Sequence, residues 1–216
     1  MKTTLHFQQN FSRELPAHLE SQDIRLSENV LEHFIEEYTS QGDAVFDPFA
    51  GFGTTLIVAE QLGRVGFGVE LNEERHAYAS SQIANPANLI LEDVRNVEMN
   101  NFPQFSLSIS SPTYMHKHEQ IDPLTGFKQP GTYDSYLAEL TSIYIRISHR
   151  LQRGGRLLIE AANLKGEHGV TPFAWDLCAH LEPYLEFDGE FVISWDQYGY
   201  GYDHSYCLVF SSPSSG

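Results

Sequence analysis

The chain has 216 residues and a formal net charge of −16, from 13 basic and 29 acidic side chains. Hydrophobic residues make up 41% and charged residues 19%, which is enough apolar material for one buried core and argues against extended disorder. The 2 cysteines have no CxxC spacing, which excludes a disulfide framework and a zinc finger, and the acidic balance disfavours autonomous binding to duplex nucleic acid.

The N-terminal part, residues 1–40, is predicted to form a helical extension of one domain. Its first residues lack the apolar segment of a signal peptide, and the chain has no run of about 18 apolar residues that could cross a membrane. A cytoplasmic protein is therefore expected. Leu26 to Tyr38 has the apolar spacing of an amphipathic helix, which Gly42 ends.

Strand patterns then alternate with helical patterns along the rest of the chain. This alternation predicts an α/β fold with a doubly wound, mostly parallel sheet of seven strands, the final strand antiparallel, in a single domain spanning 1–216. Gly154 and Gly155 are predicted to form a turn. The predicted strands are 44–46, 65–69, 88–91, 105–110, 156–161, 190–196 and 206–211, and the remaining predicted helices are 54–62, 72–83, 133–151 and 171–181.

Polar side chains follow four of the predicted parallel strands at the point where each strand ends. Ligands of such sheets bind beyond the carboxyl ends of the strands, so we expect these side chains to share one site. They are Asp47, Glu70, Asp93 and Ser111.

A glycine-rich turn, Asp47 to Thr55 (DPFAGFGTT), follows the first of these strands and opens a helix. No lysine follows the glycines, so the turn is not a P-loop, and the dinucleotide spacing GxGxxG fails. Asp47 favours a cationic ligand group, and Glu70 is placed to accept ribose hydroxyls. The alternative is a structural turn whose glycines serve packing alone.

This turn resembles the cofactor motif of S-adenosylmethionine-dependent amino-methyltransferases of DNA and RNA, the adenine N6 and cytosine N4 type. The resemblance extends over most of the chain and implies a Rossmann-like methyltransferase fold. The other segments that carry it are Gly42–Asp43, Gly66–Asn72, Glu92–Arg95, Ser110–Tyr114, Leu151–Leu158, Trp195 and His204–Tyr206.

The resemblance implies S-adenosylmethionine as the cofactor and assigns residues to it. Glu70 would bind the ribose, Leu71 would pack against the adenine, and Asp93 would accept the adenine amino group, with Val94 beside it. Residues 7–11 are expected to close over the methionine end. The turn residues that would cradle the methionine are Asp47, Pro48, Phe49, Ala50, Gly51, Gly53, Thr54 and Thr55.

The second signature of that family is Asp, Asn or Ser, then two prolines and an aromatic residue; here it reads Ser111-Pro112-Thr113-Tyr114. The Ser111 side chain and the Pro112 carbonyl would accept the hydrogens of an exocyclic base amine, and Tyr114 would stack on a flipped base. Thr113 replaces the second proline. Serine at the first position points weakly to cytosine, and an ordinary turn is the alternative.

The long segment from Met115 to Thr132 is expected to bring basic groups to the mouth of the site. His116 and His118 lack an obvious third ligand, so no metal site is predicted, and solvated loop histidines are the alternative reading. The other groups expected at this mouth are Lys117, Lys128, Asn163, Lys165, His168 and His204. A second basic cluster, Arg146, Arg150, Arg153 and Arg156, is predicted on the opposite side, as a solvated or partner-facing surface.

Together these features predict methyl transfer from S-adenosylmethionine to an exocyclic amine of a nucleic-acid base, with DNA slightly favoured over RNA. No length is left for a separate target-recognition domain, so specificity is expected from a protein partner, a structured RNA or a substrate other than duplex DNA. The alternatives are a methyltransferase acting on a small molecule or protein side chain, and a non-catalytic cofactor-binding subunit.

Overall fold

The computed structural model describes residues 3–196 and 201–213. Its helices are α1 (Glu28–Tyr38), α2 (Thr54–Gln61), α3 (Glu73–Gln82), α4 (Tyr133–Ser148) and α5 (Phe173–Leu181). Its strands are β1 (Thr4–Phe7), β2 (Ala44–Asp47), β3 (Val65–Glu70), β4 (Leu89–Leu91), β5 (Phe105–Ser110), β6 (Ile121–Asp122), β7 (Gln129–Pro130), β8 (Leu151–Ala161), β9 (Leu164–Gly166), β10 (Gly169–Thr171), β11 (Glu186–Trp195) and β12 (His204–Ser211).

One mixed sheet forms the centre of the fold, with the order β4-β3-β2-β5-β8-β12-β11-β1. The strands from β4 to β8 are parallel, and β12 is antiparallel to both of its neighbours. This confirms the predicted doubly wound, mostly parallel sheet with an antiparallel final strand. From β2 the chain moves outward to β3 and β4 and then returns to β5 on the other side, so the strand order reverses between β2 and β5.

The sheet has eight strands rather than the seven predicted, because β1 pairs in parallel with β11 at one edge. The N-terminal extension is therefore not wholly helical. A strand of four residues has too little pattern to be recognised, and its partner lies almost the whole chain away. Phe7 packs there beside Trp195, with ring centroids 6.4 Å apart.

Helices cover both faces of the sheet. Side chains of α1 and α2 pack in one buried cluster, and those of α4 and α5 pack in another on the opposite face. Gly66 in β3 allows α2 to lie close to the sheet, since a Cβ there would fall 2.7 Å from the Leu56 Cα. Among the described residues, no helix has the length and apolar character needed to span a lipid bilayer.

The predicted turn at Gly154 and Gly155 is wrong, because β8 runs without a break from Leu151 to Ala161. Its pairing with β5 changes register between Phe105 and Leu107, which accommodates the extra residues as a bulge. Gly155 allows close contact there, since a Cβ would lie 2.9 Å from the Phe105 carbonyl oxygen. The short β9–β10 hairpin was not predicted, and it takes Thr171 out of the predicted helix.

Candidate functional site

A cleft of about 320 Å³ lies beyond the carboxyl ends of β2, β3 and β5, where the strand order reverses. This is the position at which open α/β sheets bind ligands. The predicted site residues in its lining are Asp47, Pro48, Phe49, Ala50, Gly51, Thr54, Thr55, Glu70, Leu71, Asp93, Val94 and Ser111. Residues at or beyond the ends of four strands, β2, β3, β4 and β5, therefore meet in one cavity.

Asp47 ends β2 and is 5% exposed. One carboxylate oxygen accepts the Phe49 backbone N–H at 2.9 Å, and the other accepts the Thr55 hydroxyl at 2.5 Å. Burial raises the pKa of Asp47 to about 7, and the nearby Glu70 carboxylate adds to the rise. The turn itself therefore holds the Asp47 carboxylate in place. Among the described residues, no lysine, arginine or histidine forms an ion pair with it.

Glu70 ends β3 and forms the second buried carboxylate of the cleft. Its Oε2 accepts the Gly51 backbone N–H and its Oε1 accepts the Asn72 backbone N–H, both at 2.7 Å. Burial raises the pKa of Glu70. A carboxylate has about four acceptor positions, so each oxygen retains capacity for a ligand hydroxyl.

The two glycines of the turn have different surroundings. Gly53 precedes α2 with φ +79°, and a Cβ there would lie 2.8 Å from the Ala79 Cβ, so this glycine allows α2 and α3 to pack. Gly51 has φ +54°, and a Cβ there would meet only the Phe49 carbonyl oxygen, at 3.9 Å. Gly53 thus serves packing, whereas Gly51 leaves backbone open toward the cleft.

Asp93 lines the cleft but already binds Arg95, whose Nη2 lies 2.6 Å from the Asp93 Oδ2. Burial opposes ionisation of Asp93, yet the Arg95 hydrogen bonds hold its pKa below the usual value. Arg95 also contacts Glu139 at 2.5 Å. Leu71 is 37% exposed at the cleft surface.

The tetrapeptide lies at the tip of β5, on the far side of the cleft from Glu70. Ser111 and Thr113 line the cleft, whereas Pro112 is buried and Tyr114 packs on Phe173 with ring centroids 5.1 Å apart. The Tyr136 phenol donates to the Thr113 carbonyl at 2.8 Å. This bond fixes the backbone at the residue where the family has its second proline.

A carboxylate that sequence analysis missed lies directly behind the tetrapeptide. Glu160 on β8 is 3% exposed, and its Oε2 accepts the Ser111 hydroxyl at 2.7 Å and the Tyr114 phenol at 2.6 Å. The signal was present, because Glu160 is the one charged residue between Leu157 and Ala162 in an otherwise apolar strand. It lies one residue before the end of β8, near the same edge of the sheet as Asp47 and Glu70.

The segment that closes the cleft on the N-terminal side differs from the one expected. Residues 7–11 do not line the cleft: Phe7 belongs to the edge of the sheet, and Phe11 packs under the Arg25 guanidinium, 4.2 Å from its ring centre. The lining residues come from slightly further along the chain: Gln22, Ile24, Arg25 and Leu26.

The loop histidines come together, but beside the cleft rather than in it. The His118 ring lies 5.1 Å from the His116 ring and 4.5 Å from the His168 ring, which the β9–β10 hairpin brings in. The described residues contain no group of three or more side chains arranged to hold a metal ion. Of the predicted basic groups, Lys128 lines the cleft, and Lys117 instead pairs with Asp176 at 2.9 Å.

The predicted basic surface at residues 146–156 is wrong for three of its arginines. Arg146 donates at 2.8 Å to the carbonyl of residue 95, and Arg150 donates at 2.5 Å to the Phe102 carbonyl. Arg156 pairs with Asp188 at 3.0 Å. These guanidinium groups donate hydrogen bonds to loop carbonyls or pair with a nearby carboxylate. They therefore stabilise the fold and do not form a free basic patch.

Comparison with known proteins supports the resemblance over the first third of the chain. Residues 4–81 match the model of the DNA methylase family. The chain is 50% identical over 46 residues to the type II methyltransferase M.BamHI of Bacillus amyloliquefaciens, which covers 21% of this chain and 11% of that protein. It is 31% identical over 96 residues to M.BglII of Bacillus subtilis, covering 44% of this chain and 23% of that protein. The chain therefore spans less than a quarter of the length of these relatives.

Solved structures confirm the fold along most of the chain. A TehB-like SAM-dependent methyltransferase from Corynebacterium glutamicum superposes with a TM-score of 0.59 and 16% identity, covering 90% of this chain and 92% of that one. The matches to DNA methylases confirm the predicted resemblance to amino-methyltransferases in the segment that contains Asp47 and Glu70.

Proposed function

Since this chain has the fold of S-adenosylmethionine-dependent methyltransferases and a DNA methylase segment at residues 4–81, we propose that it methylates an exocyclic amine of a nucleic-acid base. The observation that carries the proposal is that one cleft contains both the buried carboxylates and Ser111. The residues that would hold a methyl donor and the residue that would accept the amine hydrogens therefore line the same cavity.

The cleft fits S-adenosylmethionine by the chemistry of its lining. Asp47 and Glu70 are both buried, both have raised pKa values, and neither forms an ion pair with a described lysine or arginine. A cationic ligand at Asp47 offsets the cost of that buried charge. Asp47 would hold the methionine ammonium group and Glu70 the ribose hydroxyls, with Leu71 against the adenine. When bound, the cofactor supplies an electrophilic methyl group.

The tetrapeptide side of the cleft would position the substrate amine. A base amine is a weak nucleophile, because its lone pair is delocalised into the ring. Acceptors at Ser111 and at the Pro112 carbonyl hold the amine hydrogens and turn the lone pair toward the methyl group. Placing the two reacting atoms in line accounts for much of the expected acceleration. Asp93 would contribute to the adenine pocket while its charge remains balanced by Arg95.

The charge of −16 bears on how the substrate is found. Affinity for duplex DNA depends on lysine and arginine contacts to phosphates, and three arginines of the 146–156 cluster are engaged within the fold. We therefore propose that residues 1–216 form a single catalytic domain whose specificity comes from a protein partner or from a structured RNA. DNA remains slightly favoured over RNA, because the family match is to DNA methylases.

Transfer of a tritiated methyl group from S-adenosylmethionine to separate pools of single-stranded DNA, duplex DNA, total RNA and protein tests the proposal. We expect label in a nucleic-acid pool, at an exocyclic amine when the bases are digested and separated. The Ser111→Ala variant should bind S-adenosylhomocysteine as the wild type does and transfer methyl groups about 100-fold more slowly. Label in the protein pool alone, or in none, contradicts the proposal.

A further inference from the structure

Glu160 is the third buried carboxylate at the carboxyl ends of the central strands, and it belongs to the tetrapeptide rather than to the turn. Its Oε2 accepts hydrogen bonds from Ser111 and Tyr114, and the Ser111 Oγ lies 3.3 Å from the Tyr114 phenol oxygen. Three oxygen atoms therefore form one compact cluster. Charge-assisted hydrogen bonds of this length are strong, so Glu160 fixes the directions of both hydroxyl hydrogens.

The consequence for Ser111 follows from its hydrogen-bonding capacity. A serine hydroxyl has one hydrogen and two acceptor lone pairs. Because the hydrogen points to Glu160, the Ser111 Oγ offers only lone pairs to the cleft that it lines. An exocyclic amine brings N–H donors, whereas the ring nitrogen beside it in adenine or cytosine brings a lone pair. Ser111 in this state attracts the amine and repels the ring nitrogen.

The same contact provides a route for the proton that must leave the methylated amine. Ser111 lies between the cleft and Glu160, so a hydroxyl that gives its hydrogen to Glu160 can take one from the substrate in the same movement. The Glu160 Oε2 already accepts the Ser111 hydrogen at 2.7 Å, so it lies within reach of that proton. Water need not enter the cleft during the transfer.

We propose that Glu160 is a positioning residue that makes Ser111 an acceptor for the substrate amine and then receives the amine proton through Ser111. The inference rests on the proposed function.

The amine lone pair forms a bond to the methyl carbon as the carbon–sulfur bond breaks, and the electron pair of the broken bond stays on sulfur. The nitrogen, now positively charged, passes one proton to the Ser111 Oγ while the Ser111 hydrogen moves to Glu160. A neutral methylated amine and a protonated Glu160 result, and Glu160 releases its proton to solvent when the product leaves.

The Glu160→Gln variant tests the proposal, with Glu36→Gln on the exposed side of α1 as the matched control. Glutamine keeps the size of the side chain but receives no proton. We expect the single-turnover rate of methyl transfer to fall about 100-fold in Glu160→Gln and to stay unchanged in Glu36→Gln. The affinity for S-adenosylhomocysteine, measured by calorimetry, should stay within twofold of wild type in both variants.

Rescue by a second carboxylate separates this role from a merely structural one. In Glu160→Gln the rate should fall while the affinity for S-adenosylhomocysteine stays constant, and Glu160→Asp, which keeps a carboxylate, should recover part of the rate. A Glu160→Gln rate within threefold of wild type, or a Glu160→Asp rate no higher than that of Glu160→Gln, overturns the proposal.

A second pair of variants gives a readout that needs no turnover. Ser111→Asp places another carboxylate against Glu160, and like charges at this distance repel. We expect the melting temperature of Ser111→Asp at pH 8 to lie below that of wild type, and that of the Ser111→Asp/Glu160→Gln double variant to recover. Equal melting temperatures for the single and double variants contradict the contact on which the inference depends.

The two proposals fail in different ways. A folded wild type that transfers no methyl group to any nucleic-acid pool contradicts the proposed function, and the inference about Glu160 falls with it. An active wild type whose rate is insensitive to Glu160→Gln contradicts the inference alone and leaves the proposed function standing.

Discussion

At the tips of β2 and β3, which we name the carboxylate side of the cleft, Asp47 and Glu70 are held by backbone N–H groups and one threonine hydroxyl. On the tetrapeptide side, at the tips of β5 and β8, Glu160 is instead bound by two side chains of the tetrapeptide, Ser111, which lines the cleft, and Tyr114. The first side keeps its charges available for an incoming cation. The second side uses its charge internally, to set the direction of Ser111.

Because of this difference, substitutions on the two sides should change different quantities, ligand affinity on one side and reaction rate on the other. Changes on the carboxylate side should alter ligand affinity, because a cationic ligand would be the partner of carboxylates that form no ion pair among the described residues. Changes on the tetrapeptide side should alter the rate and leave cofactor affinity nearly constant. A variant on either side that changed both affinity and rate would contradict this division of roles.

Replacement of Asp47 should have the largest effect. Asp47→Asn keeps the hydrogen bond to the Phe49 N–H but removes the charge opposite the cofactor ammonium, which should cost about 3–5 kcal/mol, a loss of affinity of a hundredfold or more. Calorimetry with S-adenosylhomocysteine measures this directly. Asp134→Asn, on the exposed face of α4, is the control and should bind as the wild type does. Equal affinities for wild type and Asp47→Asn would remove Asp47 from the binding site.

The two turn glycines sharpen the comparison within the carboxylate side. In Gly53→Ala the new Cβ would collide with Ala79, and alanine rarely adopts the backbone conformation of this position. The free energy of unfolding should therefore fall by about 2–3 kcal/mol. In a chain of this size that lowers the melting temperature by roughly 5–10 °C. Gly51→Ala has space and should lose only about 1 kcal/mol of stability.

The same pair should differ in the opposite sense for binding. Gly51 lines the cleft, so its new methyl group should reduce affinity for S-adenosylhomocysteine about tenfold, equivalent to about 1.4 kcal/mol. Calorimetry and thermal unfolding on both variants check the pair. If Gly51→Ala unfolds early and binds normally, the glycines serve packing alone.

Leu71→Ala should have the smallest effect. The side chain is already 37% exposed in the free protein, so its loss should leave the melting temperature unchanged. Packing against an adenine ring would contribute about 1 kcal/mol, so affinity should fall about fivefold. Leu91→Ala, 44% exposed at the end of β4 and outside the cleft, is the control and should change neither quantity.

The carboxylate side could be predicted from the sequence because its contacts are local. Asp47 contacts partners 2 and 8 residues away, and Glu70 reaches Gly51 across 19 residues, so one short motif contains most of the geometry. Glu160 lies 49 residues from Ser111, and only the pairing of β5 with β8 brings them together. A contact between neighbouring strands has no fixed separation in the sequence, so no motif predicts it.

The same reasoning explains the errors in the fold. The helices and central strands follow from periodicity and glycine stops, and the structure has them close to the predicted bounds. Strand β1 and the bulge before Gly155 depend on partners far along the chain, β11 and β5 respectively. The arginines at 146 and 150 looked like a surface cluster because their carbonyl partners belong to a loop with no pattern of its own.

Binding of S-adenosylhomocysteine at two pH values tests most directly the claim that the ligand cation lies at Asp47. Burial raises the pKa of Asp47 to about 7 in the free protein, so ionisation costs stability, and the free protein should lose stability as the pH rises from about 4 to 7. A cation beside Asp47 lowers that pKa again, so binding near pH 6.5 should release protons and affinity should increase as the pH rises through about 7.

Calorimetry in two buffers of different ionisation enthalpy measures the protons released. We expect the wild type to release up to about one proton near pH 6.5 and almost none near pH 8.5, and Asp47→Asn to release clearly fewer at pH 6.5. Binding that releases no proton at either pH, or releases the same number with Asp47→Asn as with wild type, would contradict this expectation.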